Sequence, residues 1–162
     1  IEDIGAAVGV SGPALYRHFS GKEAILAEML LDVSERLRAA GAEVVTAAAT
    51  PEEALDGLLE VQISFALDQP ALIRVHGQEL GNVPEPERRR IRRLQRLYAE
   101  EWVTVLAELH PHCPPPRLRA AAHAVFGLLN STPHSAGELD RAAMAELLRR
   151  MAKAAFAALA DS

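Results

Sequence analysis

Apolar residues recur at spacings of three and four along most of the chain, which is the period of an amphipathic α-helix. One apolar stripe predicts a helix that ends at Gly41. Thr50 is a good N-cap for the next helix, since Pro51 suits the first helical position and Glu53 has capping-box spacing. Glycine and proline breakers separate the rest, so the predicted helices cover residues 22–40, 51–69, 72–80, 87–110, 114–132 and 138–160.

The first 20 residues have the outline of a helix-turn-helix. Residues 4–8 end a helix, a glycine follows, and Ser11 is an N-cap for a helix over residues 12–19. Leu15 and Phe19 share one face of that second helix, at i and i+4. This face must pack on the preceding helix, which leaves the opposite face free to enter a major groove.

The segment IEDIGAAVGVSGPALYRHFSGKEAIL resembles the DNA-binding domain of TetR-family repressors. The resemblance rests on G-V-S, on L-Y-x-H-F and on a lysine three residues later, and it covers roughly the first 40 residues. It implies an all-α protein with two domains. Residues 1–41 would form the helix-turn-helix DNA-binding domain and a connecting helix, with the domain's first helix lying before Ile1. Residues 42–162 would form a larger helical ligand-binding and dimerisation domain.

The resemblance also implies which residues meet DNA. Tyr16, His18 and Lys22 would contact phosphates, which position the domain without reading sequence. Pro13 and Tyr16 can offer apolar surface to thymine methyl groups, and Arg17 can reach either a guanine edge or a phosphate. Gly12 stands where relatives place a long polar side chain, so base readout there is lost. The expected DNA-binding set is Ser11, Gly12, Pro13, Ala14, Tyr16, Arg17, His18 and Lys22.

The implied function is ligand-responsive transcriptional regulation, as a repressor or an activator, with a repressor favoured. A palindromic operator needs two recognition helices and therefore a homodimer. The last two helices carry small residues that would let helices of two subunits approach closely, at Ala120, Ala121, Ala122, Ala124, Ala152, Ala154, Ala155, Ala157 and Ala158. The alternative is a helical ligand-binding or protein-interaction module that does not bind DNA.

An effector pocket is expected among the few large aromatic residues that follow the DNA-binding segment. The candidate ligand-binding residues are Phe65, His76, Glu79, Tyr98, Trp102 and Phe126. The apolar surroundings predict a largely hydrophobic effector, such as a lipid-like molecule or an acyl thioester, with an acidic group held by His76 or an arginine as one option. Polar residues on these helices can equally be hydrogen-bonded core or surface residues.

Composition agrees with a helical cytoplasmic protein. Aromatic residues make up 4% of the chain, and the apolar runs are shorter than the roughly 18 residues that cross a bilayer. The net charge is −5, and four basic against six acidic residues leave residues 1–40 acidic as well, so further basic residues are expected before Ile1. Cys113 is the only cysteine, which excludes an intrachain disulfide.

Other chemistries find less support in the sequence. His110, His112 and Cys113 lie together in a proline-rich turn and lack the separated ligand pairs of structural zinc sites. The serines lack nucleophile-elbow context, so we do not expect an enzyme. We also expect no metal and no cofactor. The arginine-rich run 88–96 is read as the solvated face of a helix, with a patch for an acidic effector or a charged partner as the alternative.

Overall fold

The computed structural model describes residues 21–135, 137 and 139–160, and within these ranges it is helical with no strand. Six α-helices follow one another within these ranges: α1 (Lys22–Ala47), α2 (Pro51–Asp68), α3 (Pro70–Glu79), α4 (Glu85–Leu109), α5 (Pro115–Leu129) and α6 (Arg141–Ala157). Short 3-10 turns follow α3 and α5, at Leu80–Asn82 and Thr132–His134. The all-α prediction is confirmed. The predicted helix-turn-helix before residue 21 lies outside the described residues.

Local caps and prolines set most of the helix ends. The Thr50 hydroxyl accepts a hydrogen bond from the Glu53 N–H at 3.2 Å, while the Glu53 carboxylate accepts one from the Ala49 N–H at 2.9 Å. This N-cap of α2 was predicted. The last helix begins later than predicted, because the Asp140 carboxylate accepts the Ala143 N–H at 2.9 Å and caps α6 at that point.

The predicted end of the first helix at Gly41 is wrong, since α1 continues to Ala47. Gly41 is buried against the ring of Tyr98, and a Cβ atom at this position would lie 2.6 Å from Cε2 of that ring. The glycine therefore serves close packing between α1 and α4 instead of ending the helix. A glycine inside a helix costs conformational entropy, and here the close approach explains it.

The larger of two buried apolar clusters joins α2, α4, α5 and α6 around Trp102. The Trp102 ring is fully buried, with its centroid 5.1 Å from that of Phe126 and 6.2 Å from that of Phe156. Ion pairs link α6 to α2 along the outer edge of this cluster, from Arg141 to Asp68 at 2.8 Å and from Lys153 to Asp56 at 2.5 Å. The buried members are Ala54, Leu55, Leu58, Leu59, Ile63, Tyr98, Trp102, Val103, Val105, Leu106, Leu118, Ala122, Val125, Leu129, Leu148, Ala152, Phe156 and Leu159.

The smaller cluster holds the first half of α1 against α3 and the beginning of α4. Its buried side chains are aliphatic or methionine: Ile25, Leu26, Ala27, Met29, Leu30, Val33, Leu72, Val75, Val83 and Ile91. The second half of α1 packs on the larger cluster through Leu37, Val44 and Val45. One continuous helix therefore contacts both clusters. No helix in the described part of the chain is long and apolar enough to cross a membrane.

Candidate functional site

A cavity of about 230 Å³ lies where the first five helices meet, between the two apolar clusters. Every one of these helices contributes to its wall. The lining residues are Val33, Ser34 and Leu37 from α1, Gln62 and Phe65 from α2, Leu72, Ile73 and His76 from α3, Gln95, Tyr98 and Ala99 from α4, and His123 and Phe126 from α5, with Asn130 at its end.

Four of the six residues predicted to bind a ligand line this cavity, namely Phe65, His76, Tyr98 and Phe126. Trp102 lies behind the wall, where its ring packs edge-on against Phe126 and Tyr98. Glu79 also lies away from the lining: its carboxylate accepts a hydrogen bond from Asn82 at 2.8 Å and pairs with Lys22 at 3.5 Å. Trp102 thus supports the cavity and Glu79 faces the beginning of α1.

Gln62 is a lining residue that the sequence analysis did not single out. Its side chain is only 3% exposed, and its Nε2 donates a hydrogen bond to Oδ1 of Asn130 at 2.8 Å. Its Oε1 is buried and has no hydrogen-bond partner among the described residues. The available signal was its position on the buried stripe of α2, where it follows Leu58 by four residues and precedes Ala66 by four. A polar residue in such a stripe needs a partner.

His76 and Gln95 form the polar pair on the opposite wall. Nε2 of His76 lies within hydrogen-bond distance of the Gln95 amide. Burial lowers the pKa of His76, and the hydrogen bond to Gln95 opposes that shift only in part. The imidazole is therefore mainly neutral near pH 7 and accepts a proton less readily than an exposed histidine.

Lys22 is the one residue of the expected DNA-binding set that the structure describes. It is the first residue of α1, its side chain is 46% exposed, and its Nζ is the partner of Glu79. The pKa of Glu79 is lowered, first by the hydrogen bond from Asn82 and then by the charge of Lys22. The seven other residues of the set, Ser11, Gly12, Pro13, Ala14, Tyr16, Arg17 and His18, lie outside the described residues.

The outer faces of α5 and α6 expose apolar side chains. Leu147 and Met151 on α6 are 43% and 46% exposed, one helical turn apart. Small residues are exposed on the same two helices, at Ala120, Ala124, Gly127, Ala154, Ala155, Ala157 and, just after α6, Ala158. Two of the predicted interface alanines, Ala122 and Ala152, are instead buried within the subunit, and Ala121 is partly buried. Exposed apolar and small side chains therefore lie on both helices.

The arginine-rich run on α4 is largely solvated and partly paired with acidic residues. Arg88 and Arg89 pair with Glu85 on the same helix, and Arg90 reaches Glu35 on α1 at 2.6 Å. The opposite side of the helix is buried at Ile91, as the solvated-face interpretation predicts. The run lies away from the cavity lining apart from Gln95, which is neutral.

Two family models match the chain. The model of bacterial regulatory proteins of the tetR family matches residues 1–29, and the model of the Tetracyclin repressor-like C-terminal domain matches residues 48–156. The second match alone covers more than half of the chain. A search of curated proteins found no significant match.

Solved structures of similar fold include three regulators. A bacterial regulatory protein in the tetR family from Rhodococcus RHA1 has a TM-score of 0.74 at 18% identity, with 96% of this chain and 83% of that chain covered. A TetR-family transcriptional regulator from Bordetella parapertussis 12822 has a TM-score of 0.74 at 22% identity, with 92% and 82% covered. PfmR, a TetR-family transcriptional regulator from Thermus thermophilus, has a TM-score of 0.74 at 23% identity, with 94% and 84% covered. At these identities the likeness concerns the fold.

Proposed function

The chain belongs to the TetR family of transcriptional regulators, and from this premise we propose that it is a repressor that a small molecule releases from DNA. A homodimer binds a palindromic operator through the expected DNA-binding set of each subunit, namely Ser11, Gly12, Pro13, Ala14, Tyr16, Arg17, His18 and Lys22. A small, largely hydrophobic effector occupies the cavity and lowers the affinity for the operator. The protein carries out no catalysis in this function.

One observation carries the proposal: the helix that begins next to the DNA-binding segment also lines the cavity. Lys22 opens α1, and Val33, Ser34 and Leu37 of the same helix form part of the cavity wall. A molecule that fills the cavity therefore touches the element that carries the DNA-binding segment. Packed helices transmit such contacts as shifts and rotations because the core around them cannot be compressed.

The release of DNA requires a difference in affinity between two arrangements of α1. An effector shifts the equilibrium only as far as it binds the DNA-free arrangement more tightly than the DNA-bound one. Reciprocity then requires that operator DNA weaken effector binding by the same factor. A molecule that fills the cavity without this difference would bind and yet leave the DNA complex intact.

The exposed apolar surface of α5 and α6 supports the homodimer. Two helices from each subunit would form a four-helix interface, with Leu147 and Met151 near its centre and small residues around them. Apolar side chains of this size are removed from water in such an interface. Dimerisation then fixes the distance between the two recognition helices, which a palindromic site requires.

The test compares two exposed leucines changed to the same residue. Leu147→Glu places a charge in the proposed interface, whereas Leu97→Glu changes a leucine on α4 that is 40% exposed and lies outside it. Light scattering should give a monomer for Leu147→Glu and a dimer for Leu97→Glu and the unchanged protein. Affinity for genomic fragments selected by the unchanged protein should fall at least about tenfold only for Leu147→Glu, since one of two half-site contacts is lost.

Two outcomes would contradict the proposal. If Leu147→Glu stays dimeric, the interface lies elsewhere on the molecule. If the unchanged dimer selects no DNA fragment over random sequence, the protein is instead a helical ligand-binding or interaction module that does not bind DNA.

A further inference from the structure

The lining residues of the cavity that the structure describes include no lysine, arginine, aspartate or glutamate. Their polar members are the amides of Gln62, Gln95 and Asn130, the hydroxyls of Ser34 and Tyr98, and the imidazoles of His76 and His123. The other lining residues are aliphatic or phenylalanine. An ionised ligand group placed here would lose its hydration without gaining the counter-charge of a lysine, an arginine or a carboxylate, which is costly in an apolar environment.

Most polar groups of the wall already have partners within the protein. The Ser34 hydroxyl donates to the backbone oxygen of Leu30 at 2.7 Å, and the amides of Gln62 and Asn130 bond to each other. His76 and Gln95 form the second pair. These contacts hold the side chains in place before any ligand arrives, so the wall is preorganised.

Two polar groups of the lining have no partner among the described residues, the hydroxyl of Tyr98 and an amide oxygen of Gln62. Gln62 thus leaves one strong acceptor unused. Its Oε1 is buried without a partner among the described residues, although a carbonyl oxygen of an amide accepts up to two hydrogen bonds. A buried acceptor that stays unpaired costs free energy, and a ligand that donates to it removes that cost. Gln62 is itself part of the lining, so a molecule in the cavity lies against this side chain. Its Oε1 is covered, and a donor group reaches this oxygen only if the amide or a neighbouring side chain shifts.

We propose that the cavity binds an uncharged, mainly apolar molecule with an O–H or N–H group that donates a hydrogen bond to Oε1 of Gln62. The aliphatic and phenylalanine side chains, Phe65 and Leu72 among them, pack against the body of this molecule. At about 230 Å³ the space is smaller than the roughly 300 to 1,000 Å³ of sites for drug-sized ligands, so the molecule is small. This inference narrows the hydrophobic effector of the proposed function to neutral hydrogen-bond donors, and it rests on that function only in treating the cavity as the effector site.

The test uses three probes of one shape that differ in a single group. 4-Propylphenol is a neutral donor, 4-propylanisole is neutral without a donor, and 4-propylbenzoate is an anion at pH 7. Calorimetric titration of the full chain, without DNA, should give binding of the phenol that is about tenfold tighter than that of the ether. The benzoate should bind more weakly than the phenol, because the described lining residues include no lysine or arginine to offset its desolvation.

A substitution then locates the acceptor. Gln62→Leu keeps a side chain of similar size and removes Oε1, so the preference for the phenol over the ether should fall below about threefold while the ether still binds. Gln78→Leu is the matched control, since Gln78 lies on the exposed side of α3 and outside the lining. This control should keep the tenfold preference.

Several results would overturn the inference. They are equal binding of the phenol and the ether by the unchanged protein, tightest binding of the benzoate, no binding of any probe at millimolar concentration, or a full phenol preference in a folded Gln62→Leu variant. The probe comparison in the unchanged protein decides the matter even if that variant does not fold. Since no DNA is present, these results do not depend on operator binding, which the leucine variants test separately.

Discussion

The two apolar clusters on either side of the cavity differ in what holds them together. The cluster around Trp102 contains large aromatic rings in contact, and ion pairs link α2 to α6 along its edge. The cluster beneath the first half of α1 contains aliphatic and methionine side chains from α1, α3 and the beginning of α4. Aromatic side chains bury more surface each than aliphatic ones, so the first cluster is the more strongly held frame.

The difference assigns separate tasks to the two ends of α1. Its second half lies on the frame, where Gly41 meets the ring of Tyr98. Its first half lies on the smaller cluster and leads to Lys22. The element that must move in the proposed function thus starts in the cluster with fewer buried residues, which is where lower local stability is expected.

The largest expected effect comes from removing the centre of the frame. Trp102→Ala should lower the free energy of unfolding by about 3 to 5 kcal/mol, because a fully buried indole leaves a cavity. Leu30→Ala, in the smaller cluster, should cost about 2 to 5 kcal/mol. Chemical denaturation measures both losses of stability, and hydrogen exchange shows which helices each substitution affects.

Hydrogen exchange should separate the two variants clearly. Leu30→Ala should speed exchange in the first half of α1 and in α3 while α5 and α6 keep their protection, whereas Trp102→Ala should speed exchange throughout. Faster exchange in α5 and α6 of the Leu30 variant would show that the two clusters open as one unit, and the comparison would fail.

A smaller effect is expected at the contact between α1 and the frame. Gly41→Ala places a Cβ atom against the Tyr98 ring and should reduce stability by about 1 to 3 kcal/mol through overpacking. Gly77→Ala is the matched control in α3, where a Cβ atom meets no neighbour within 4 Å, and it should raise stability by up to about 1 kcal/mol. Equal and positive shifts in melting temperature for both variants would mean that Tyr98 adapts without cost.

The smallest effects concern the exposed pair at the beginning of α1. Lys22→Ala should weaken binding to all DNA sequences about equally and flatten the dependence of log affinity on log salt by about one unit. Glu79→Gln removes the acidic partner of Lys22 and should strengthen DNA binding by up to about fivefold, since exposed ion pairs are weak.

A double-substitution cycle isolates the contribution of this pair. In the presence of Lys22→Ala, the Glu79→Gln change should no longer affect DNA affinity. A salt slope that Lys22→Ala leaves unchanged would remove Lys22 from the set of phosphate contacts.

The sequence determined those features that depend on near neighbours in the chain. A helical period, a capping threonine and well-placed prolines predicted the order of the helices and most of their ends, because caps and breakers act within a few residues. The family followed from a short motif in the first 26 residues, and the family models agree with it. The predicted helix end at Gly41 was wrong because glycine both ends helices and permits close packing inside them.

Only the tertiary structure decided which side chains surround the cavity. Four residues look alike in the sequence because all are aromatic: Phe65, Tyr98, Trp102 and Phe126. In the structure, Trp102 lies behind the wall and the other three line it. Likewise, the amide nitrogen of Gln62 finds its partner in Asn130, which lies 68 residues further along the chain, while its Oε1 stays unpaired. A cavity is the space that five packed helices leave unfilled, so its shape and its unused hydrogen-bonding groups follow from long-range packing and not from any local pattern.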